Sequence, residues 1–417
     1  MMTKQNHFTK KTILASAIST ALFAIAMPTQ AQSFTEFVEE GDVIAEVRVR
    51  SENVRQDNDA DDAVAITARA RIGYETASLA GFQALVEYDQ VVALQDEYHS
   101  GSSIYPSNPA AIPADPAEPG KSVIADGAGG DFNRAQISYT HEAAKAILGR
   151  QRIILDNARF IGNVGWRQNE QTFDAFRADL TAVENFSATY AYVNQRNTIK
   201  YEDLAVQDHL LNLSYTTPVG KVATYAYILE ADEKNDEKTY DTYGLSFKGK
   251  VPVSSVELLY AAEYATQTFN AGTTGAKDFD ADYTFLEGGV KISAVSLIAG
   301  YENLGGDGDY GFSTPYATGH AFNGWADVFL STPGNGLNDV YAKVVGKVAG
   351  IKLVATYHDF KSDKGGDNLG SEIDLLAAKK FNDNITAGIK YANYSAGDEA
   401  YAYVDTEKLW LFAEAKF

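Results

Sequence analysis

Four arginines stand in two pairs, with one residue between the members of each: Arg48 and Arg50, then Arg69 and Arg71. A guanidinium holds its donors in a planar fork that matches a carboxylate, and a ring of basic side chains in a pore lowers the barrier to anions. Carboxylates stand near in the chain: Glu46, Glu75, Glu87 and Asp89. The spacing therefore serves two uses, a ladder of ion pairs that stiffens a wall and a selective basic surface. Arg134, Lys343 and Lys347 add to the basic set.

Other chemistry is poorly provided for. There is no cysteine, hence no disulfide framework and no thiolate metal site. The chain has no G-x-S-x-G elbow, H-E-x-x-H pair or phosphate-binding loop, and His99, His141, His209, His320 and His358 are scattered singly. Asp57, Asp59, Asp61 and Asp62 lack the glycine and bidentate glutamate of a calcium loop. Gly305-Gly306-Asp307-Gly308-Asp309 resembles half of a calcium-binding repeat but occurs once. The reading is of a protein that is not an enzyme and needs no cofactor. A hydrolase would require a dyad assembled from distant segments, and a surface adhesin would rest on the loops.

Arginines two apart share a face only on a β-strand, and the surrounding pattern is of that kind. One side of 42–53 carries Val43, Ala45, Val47 and Val49, the other Glu46, Arg48, Arg50 and Glu52. Val64, Ile66, Ala68, Ala70, Ile72 and Tyr74 repeat the apolar face. Further outward series are Phe82-Ala84-Val86-Tyr88, Phe186-Ala188-Tyr190-Tyr192, Ala223-Tyr225-Tyr227-Leu229, Val256-Leu258-Tyr260-Ala262-Tyr264 and Leu353-Ala355-Tyr357. A modestly apolar face rich in Ala and ending in Tyr suits an antiparallel transmembrane barrel better than a soluble sandwich. The alternating last strand, with Phe417 at its end, fits the same class.

The N-terminus supplies the route. Lys4, Lys10 and Lys11 precede an apolar run from Ile13 to Ala26, and Thr29-Gln30-Ala31 offers a cleavage site. Residues 1–31 thus read as a secretory signal peptide and 32–417 as a single barrel domain in the bacterial outer membrane, surrounded by lipid and lipopolysaccharide. Cleavage removes three positive charges and no negative ones, which carries the formal charge from -21 to -24. So acidic a chain is no nucleic-acid binder. That bulk charge says little about a pore, because loops and lumen are separate places.

Connections in such a barrel alternate between short periplasmic turns and long external loops. Strands near 42–54, 64–77, 82–94, 131–141, 144–154, 172–180, 185–194, 208–216, 221–230, 239–248, 254–266, 280–292 and 294–302 alternate correctly. Residues 95–130 are then a long external loop and Ser78 to Gly81 a tight turn. Phe322 to Leu330 also looks strand-like, but counting it would put the turn Val348-Ala349-Gly350 outside. Treating 303–336 as one external excursion leaves strands near 337–348, 351–360, 372–381, 385–394 and 405–417, eighteen in all. Pairing the first two strands through 55–63 places Arg48 near Arg71 and Arg50 near Arg69.

Two blocks carry a family resemblance. Leu148-Gly149-Arg150-Gln151-Arg152, Arg159-Phe160-Ile161-Gly162 and the run from Trp166 to Ala175 form the first. His320 to Asp327, with Thr332-Pro333, Gly336-Leu337 and Asn338-Asp339, forms the second. Together they look like the signature of the alginate export family of outer-membrane barrels. The resemblance implies an eighteen-stranded monomer whose arginine-rich pore passes an anionic polysaccharide. It implies that Arg159, Trp166, Arg167 and Asn169 in the 153–171 loop face a sugar or a carboxylate. It further implies that Trp325 and Asp327 fold back into the mouth as a constriction, and that the selective element is Arg48, Arg50, Arg69, Arg71 and Arg134, joined near the mouth by Arg159, Arg167 and Asp174. Arg150 and Arg152 would continue the lipid-facing series of Ala146 and Leu148, so they belong at the headgroup edge or after a bulge. The expected function is a passive channel for anionic saccharides or other organic anions, small or polymeric, with a general porin as the alternative.

Overall fold

The computed structural model describes residues 34–101, 120–230, 238–272 and 277–417. The signal-peptide reading of 1–31 and the middle of the 95–130 loop lie outside them. A short helix, α1 (Phe34–Glu39), precedes eighteen strands. These are β1 (Asp42–Gln56), β2 (Ala63–Glu75), β3 (Phe82–Glu97), β4 (Gly129–His141), β5 (Ala144–Gln151), β6 (Thr172–Leu180), β7 (Phe186–Asn197), β8 (Asp203–Thr217) and β9 (Gly220–Glu230). The second half has β10 (Thr239–Val253), β11 (Val256–Asn270), β12 (Phe279–Ile292), β13 (Val295–Leu304), β14 (Leu337–Val348), β15 (Ile351–Lys361), β16 (Asn368–Lys380), β17 (Ile385–Ala396) and β18 (Thr406–Lys416). Each pairs antiparallel with its sequence neighbours, and β1 closes on β18 from Glu46↔Lys416 to Gln56↔Thr406. Closure leaves no free sheet edge, the condition for a sheet in lipid.

Period two sets the faces. On β1 Val43 is 66% exposed whereas Arg50 is 2% exposed, so apolar side chains look out and charged ones in. Ile72, Val86, Leu258, Tyr264, Leu353 and Tyr357 likewise lie on the outer surface. One series is reversed: Ala223, Tyr225, Tyr227 and Leu229 of β9 are all buried and face the interior. They do so because the interior is not aqueous at that wall. Phe160, from the loop after β5, packs against Tyr225, Tyr227, Tyr283 and Phe312. An apolar inward face therefore found an apolar partner there rather than lipid.

Turns at the periplasmic end are two residues long where β10, β12 and β14 hand on to the next strand, closing at Val253↔Val256, Ile292↔Val295 and Val348↔Ile351. Their first residues, Ser254, Ser293 and Ala349, have φ of 56°, 54° and 50°. Left-handed backbone is the mark of hairpin turns whose twist matches the strands. At the other end the chain does something different. Residues 152–171 and 303–336 fold into the barrel and contribute Ile153, Phe160, Ile161, Phe312, Phe329 and others to one buried cluster with the inner wall. Burial of each such large apolar side chain contributes about 1.5–3 kcal/mol, so these segments are seated by hydrophobic packing as well as by charge. Within the excursion, Phe322 to Leu330 forms turns and no strand.

The register of the first hairpin differs from the sequence expectation. Arg48 stands opposite Arg69, Arg50 opposite Thr67, and Arg71 opposite Glu46. A slip of two residues leaves every side chain on the same face, so the hydrophobic pattern cannot detect it; the hairpin closure at Val54↔Ala63 decides it.

Candidate functional site

The basic residues of β1 and β2 do not line open space. They grip the inward loop. Arg48 donates from Nη1 to the carbonyl oxygens of Gly165 (3.1 Å) and Arg167 (3.2 Å), and Arg69 donates to that of Gln168 (3.1 Å). Arg50 donates to the Trp166 carbonyl and to Asp126 Oδ2 (2.9 Å), with its guanidinium 4.1 Å from the centre of the Trp166 ring. Asp126 Oδ1 in turn accepts from the backbone N–H of Gln168 (2.7 Å). Four successive loop carbonyls, Gly165 to Gln168, are thus taken by three arginines. A buried backbone carbonyl needs such a donor, and an arginine on a rigid strand supplies it without a helix or a further strand.

Like charges facing each other on β1 and β2 are compensated locally. Glu46 pairs with Arg69, and Glu414 lies 3.3 Å from Arg48 and 3.9 Å from Arg69. Arg71 makes a two-pronged contact with Asp89 (2.7 and 2.6 Å) and reaches Glu170 at 2.8 Å. Arg134 pairs with Glu87 at 2.6 Å. Glu170, carried in by the loop, also accepts from Arg152, Asn163 and Asn133. Although its burial favours the neutral acid, these donors hold its carboxyl far below the ordinary value. Of the two uses of the arginine spacing, these contacts make the brace, and what it braces is the loop.

The other two loop arginines join the loop to the 303–336 excursion. Arg159 donates to Glu302 Oε1 on β13 (2.6 Å), Asn323 Oδ1 (3.0 Å) and Thr314 (3.3 Å) and lies over the Phe322 ring. Arg167 donates to Glu52 Oε2 (2.9 Å) and Asp327 Oδ2 (3.0 Å). Lys408 of β18 donates to the same Asp327 oxygen at 3.0 Å, and Asp327 Oδ1 is 2.7 Å from His320 Nδ1. These cations keep the Asp327 carboxyl well below the usual range in spite of its burial. His320 is pushed down to about 3, chiefly by desolvation, so it is neutral at pH 7. Its Nδ1–H then faces Asp327, and its Nε2 accepts from Lys390 Nζ at 2.6 Å. Lys390, from β17, lies 3.7 Å from the Trp325 ring centre, 4.5 Å from that of Trp166 and 5.4 Å from that of Trp410. All three tryptophans of the chain converge on this one ammonium.

The structure brings together Arg48, Arg50, Arg69, Arg71, Arg134, Arg159, Arg167, Trp325 and Asp327 along the inward segments, but not Asp174. Phe173 and Ala175 both enter the interior cluster, so period two sends Asp174 between them to the outer face. It pairs with Arg150 at 2.9 Å and borders a groove of about 620 Å³ with Phe132, Leu148 and Phe176. Arg150 therefore sits at the extracellular edge, also donating to Asp131 and to the Phe132 carbonyl. Arg152 turns inward.

Sequence reading missed Lys390, Lys408 and an acidic wall opposite the arginines: Glu263, Glu287, Glu302, Asp339, Glu372 and Asp374 on β11 to β16. Lys390 is flanked by outward Ile389, and Lys408 shares the inward phase of Trp410, so period-two counting on the last two strands would have found both. His320 lies seven residues from Asp327 but 70 from Lys390, and His358 meets Asp339 and Asp374 on two other strands, spacings that carry no periodic signal. Asp307 closes a turn by accepting from the N–H groups of Asp309 and Tyr310.

A closed, lipid-faced, all-antiparallel barrel with charged inward strands defines an outer-membrane channel fold. A family model described as "Alginate export" matches residues 45–320, and the chain belongs to that family. The match takes in the first signature block and ends at the start of the second. Among solved structures, Acinetobacter baumannii OccAB4 aligns with a TM-score of 0.67 at 13% identity, covering 90% of this chain and 98% of its own. Pseudomonas aeruginosa OccK8 (OprE) aligns with 0.68 at 12%, covering 91% and 99%. Pseudomonas aeruginosa OpdK, solved with vanillate, aligns with 0.67 at 11%, covering 91% and 99%. These likenesses are of fold. No curated protein sequence matches.

Proposed function

We propose that this chain, exported with residues 1–31 removed, is a monomeric passive outer-membrane channel that prefers anionic saccharides or other organic anions. The observation that carries the reading is the basic wall formed by adjacent strands β17, β18, β1 and β2, with Lys390, Lys408, Arg48, Arg50, Arg69 and Arg71 on its inner face. Guanidinium and ammonium groups held by strands beside tryptophan rings suit a solute that pairs a carboxylate with a ring. Vanillate in OpdK is such a molecule. Lipid and lipopolysaccharide surround the barrel. Its His–Asp pairs support no hydrolase, since His320 Nε2 is taken by Lys390 and His358 lies between Asp339 (2.9 Å) and Asp374 (3.7 Å).

Planar-bilayer recording tests the proposal. Anion preference and block by uronate oligomers are expected, and replacing Arg48, Arg50, Arg69 and Arg71 together by Gln should abolish the preference while loosening the loop they hold. Cation preference in the wild-type channel would overturn it. A general porin is favoured by the acidic wall on β11 to β16, and equal permeability to small anions and cations would establish that reading instead.

A further inference from the structure

One doubly clamped buried carboxylate of the interior belongs to neither wall but to the excursion. Asp327 is delivered on a turn in which Asn323, Gly324 and Asp327 have φ of 52°, 85° and 61°. That left-handed winding is unfavourable for residues other than glycine, although Asn and Asp tolerate it best. The turn places one carboxylate oxygen between a guanidinium from one element and an ammonium from another, Arg167 Nη2 and Lys408 Nζ, each at 3.0 Å. Among the described residues Asp327 is the carboxylate partner of Lys408. Beside it the same excursion lays a planar ring, His320, parallel to Trp166 at 5.0 Å and 7°. Ring and carboxylate are joined by the 2.7 Å His320–Asp327 contact. Between them they present a ring bearing a carboxylate, stacked on an indole and clamped by two cations.

We infer that His320 and Asp327 together occupy, as an internal stand-in, a subsite for ring-bearing carboxylates formed by Arg167, Lys408 and the face of Trp166. This deepens the proposed anion-channel function and rests on it. A solute with a carboxylate attached to a sugar or aromatic ring displaces the pair, takes over the Arg167 and Lys408 donors and stacks where His320 stacked. The excursion then leaves its seat, so the anion that passes is also the one that unseats the plug. Lys390, released from His320 Nε2, remains beside Trp166 and Trp410 as a third cation. Because the site is filled by the chain itself, apparent affinity is the intrinsic affinity multiplied by the fraction of time the segment is away.

The purified barrel is tested in bilayers and in detergent with glucuronate and benzoate as ring carboxylates and acetate as a ringless one. Asp327→Asn, nearly isosteric, removes the competing charge and should lower the concentration at which a ring carboxylate half-maximally changes conductance by about tenfold or more, with acetate shifted by less than about threefold. Adding Lys408→Gln to that variant should cancel the gain. Glucuronate responding more than benzoate identifies a sugar acid as the source of the ring, and the reverse an aromatic acid. In wild-type protein, tryptophan emission should change on titration with ring carboxylates, which tests the site even if the variant fails to fold. A half-maximal concentration unchanged in Asp327→Asn within an anion-selective channel, equal gains for acetate, or emission that does not respond overturns the subsite alone. Cation preference in both wild type and variant overturns the channel reading with it.

Discussion

Replacing Arg159 with Gln should unseat the interior segments while leaving the barrel wall intact. Arg159 bridges the 152–171 loop to β13 and to the excursion through Glu302, Asn323 and Thr314, with only 3% of its side chain and of Glu302 exposed. Removing one partner of a buried ion pair typically costs about 3–5 kcal/mol, because the remaining charge is left uncompensated. Here the lower end applies. Glu302 keeps the Tyr283 hydroxyl at 2.7 Å and the Asn323 amide at 2.6 Å, so it is not stranded. A loss of about 3 kcal/mol shifts the seated-to-released equilibrium of the plug by roughly two powers of ten. The wall is spared because its eighteen ladders contain no bond to Arg159. Single-channel recording would read the shift as a rise in open probability or conductance, with thermal stability of the barrel as control. Arg159→Gln/Glu302→Gln supplies the coupling: the double variant should lose less than the single one, because the uncompensated carboxylate is gone. Unchanged conductance in a correctly folded Arg159→Gln barrel would refute the claim that this residue seats the plug.

Two further outcomes follow from other parts of the interior and the turns. His320 has its folded value lowered from 6.5 to about 3, so the native state binds fewer protons than the unfolded segment between those values. Its contribution to seating is whole above pH 6.5 and falls away as the pH drops towards 3. Conductance should therefore rise on acidification through that window, and His320→Gln should flatten the rise in pH-stepped recordings. Glu170, held below its ordinary 4.5 by its donors, adds a like loss of seating only below pH 4.5, so the His320 effect is read between pH 6.5 and 4.5. At the periplasmic end, Ala349 sits at φ 50° beside Gly350. Ala349→Gly removes left-handed strain of about 1 kcal/mol and should raise the Tm of the refolded barrel modestly; an unchanged or lower Tm would count against strain at that turn.

The wall was legible because lipid on one side forces a strict alternation, and because connections of alternating length count strands independently of any one segment. Val43 to Glu52 shows both faces in ten residues. Tyr225 and Tyr227 misled for a physical reason: the rule that apolar faces look outward assumes water within, and at β9 the interior is a packed loop. The hairpin register failed by two because period two is blind to such slips. Asp174 followed the family resemblance against its own phase: with Phe173 and Ala175 on the inner face, period two sends it to the outer one. The loop arginines were legible as a group through their family resemblance, yet their partners were not. Arg159 meets Glu302 across 143 positions and Arg167 meets Asp327 across 160, separations that carry no periodic signal.

The use to which the arginines are put resolves the mismatch between an acidic chain and an anion pathway. Had Arg48, Arg50 and Arg69 pointed into open water, three neighbouring guanidiniums on two strands would repel one another, and their field would be screened within about 8–10 Å. Instead their forks are filled by the carbonyls of 165–168 and by Glu46, Asp126 and Glu414. Glu46 and Glu414 stay on the wall, but Asp327 pairs with Arg167 and Lys408 only while the excursion is in place. Residues 303–336 carry Asp307, Asp309 and Asp327 and no Lys or Arg, so the lumen becomes more positive as they leave. Anion preference is then a property of the released state, which static charge on the closed barrel understates. A salt series separates this from fixed surface charge, because anion preference should grow with open probability at constant ionic strength. If selectivity is the same in low- and high-conductance levels, the arginines act only as struts.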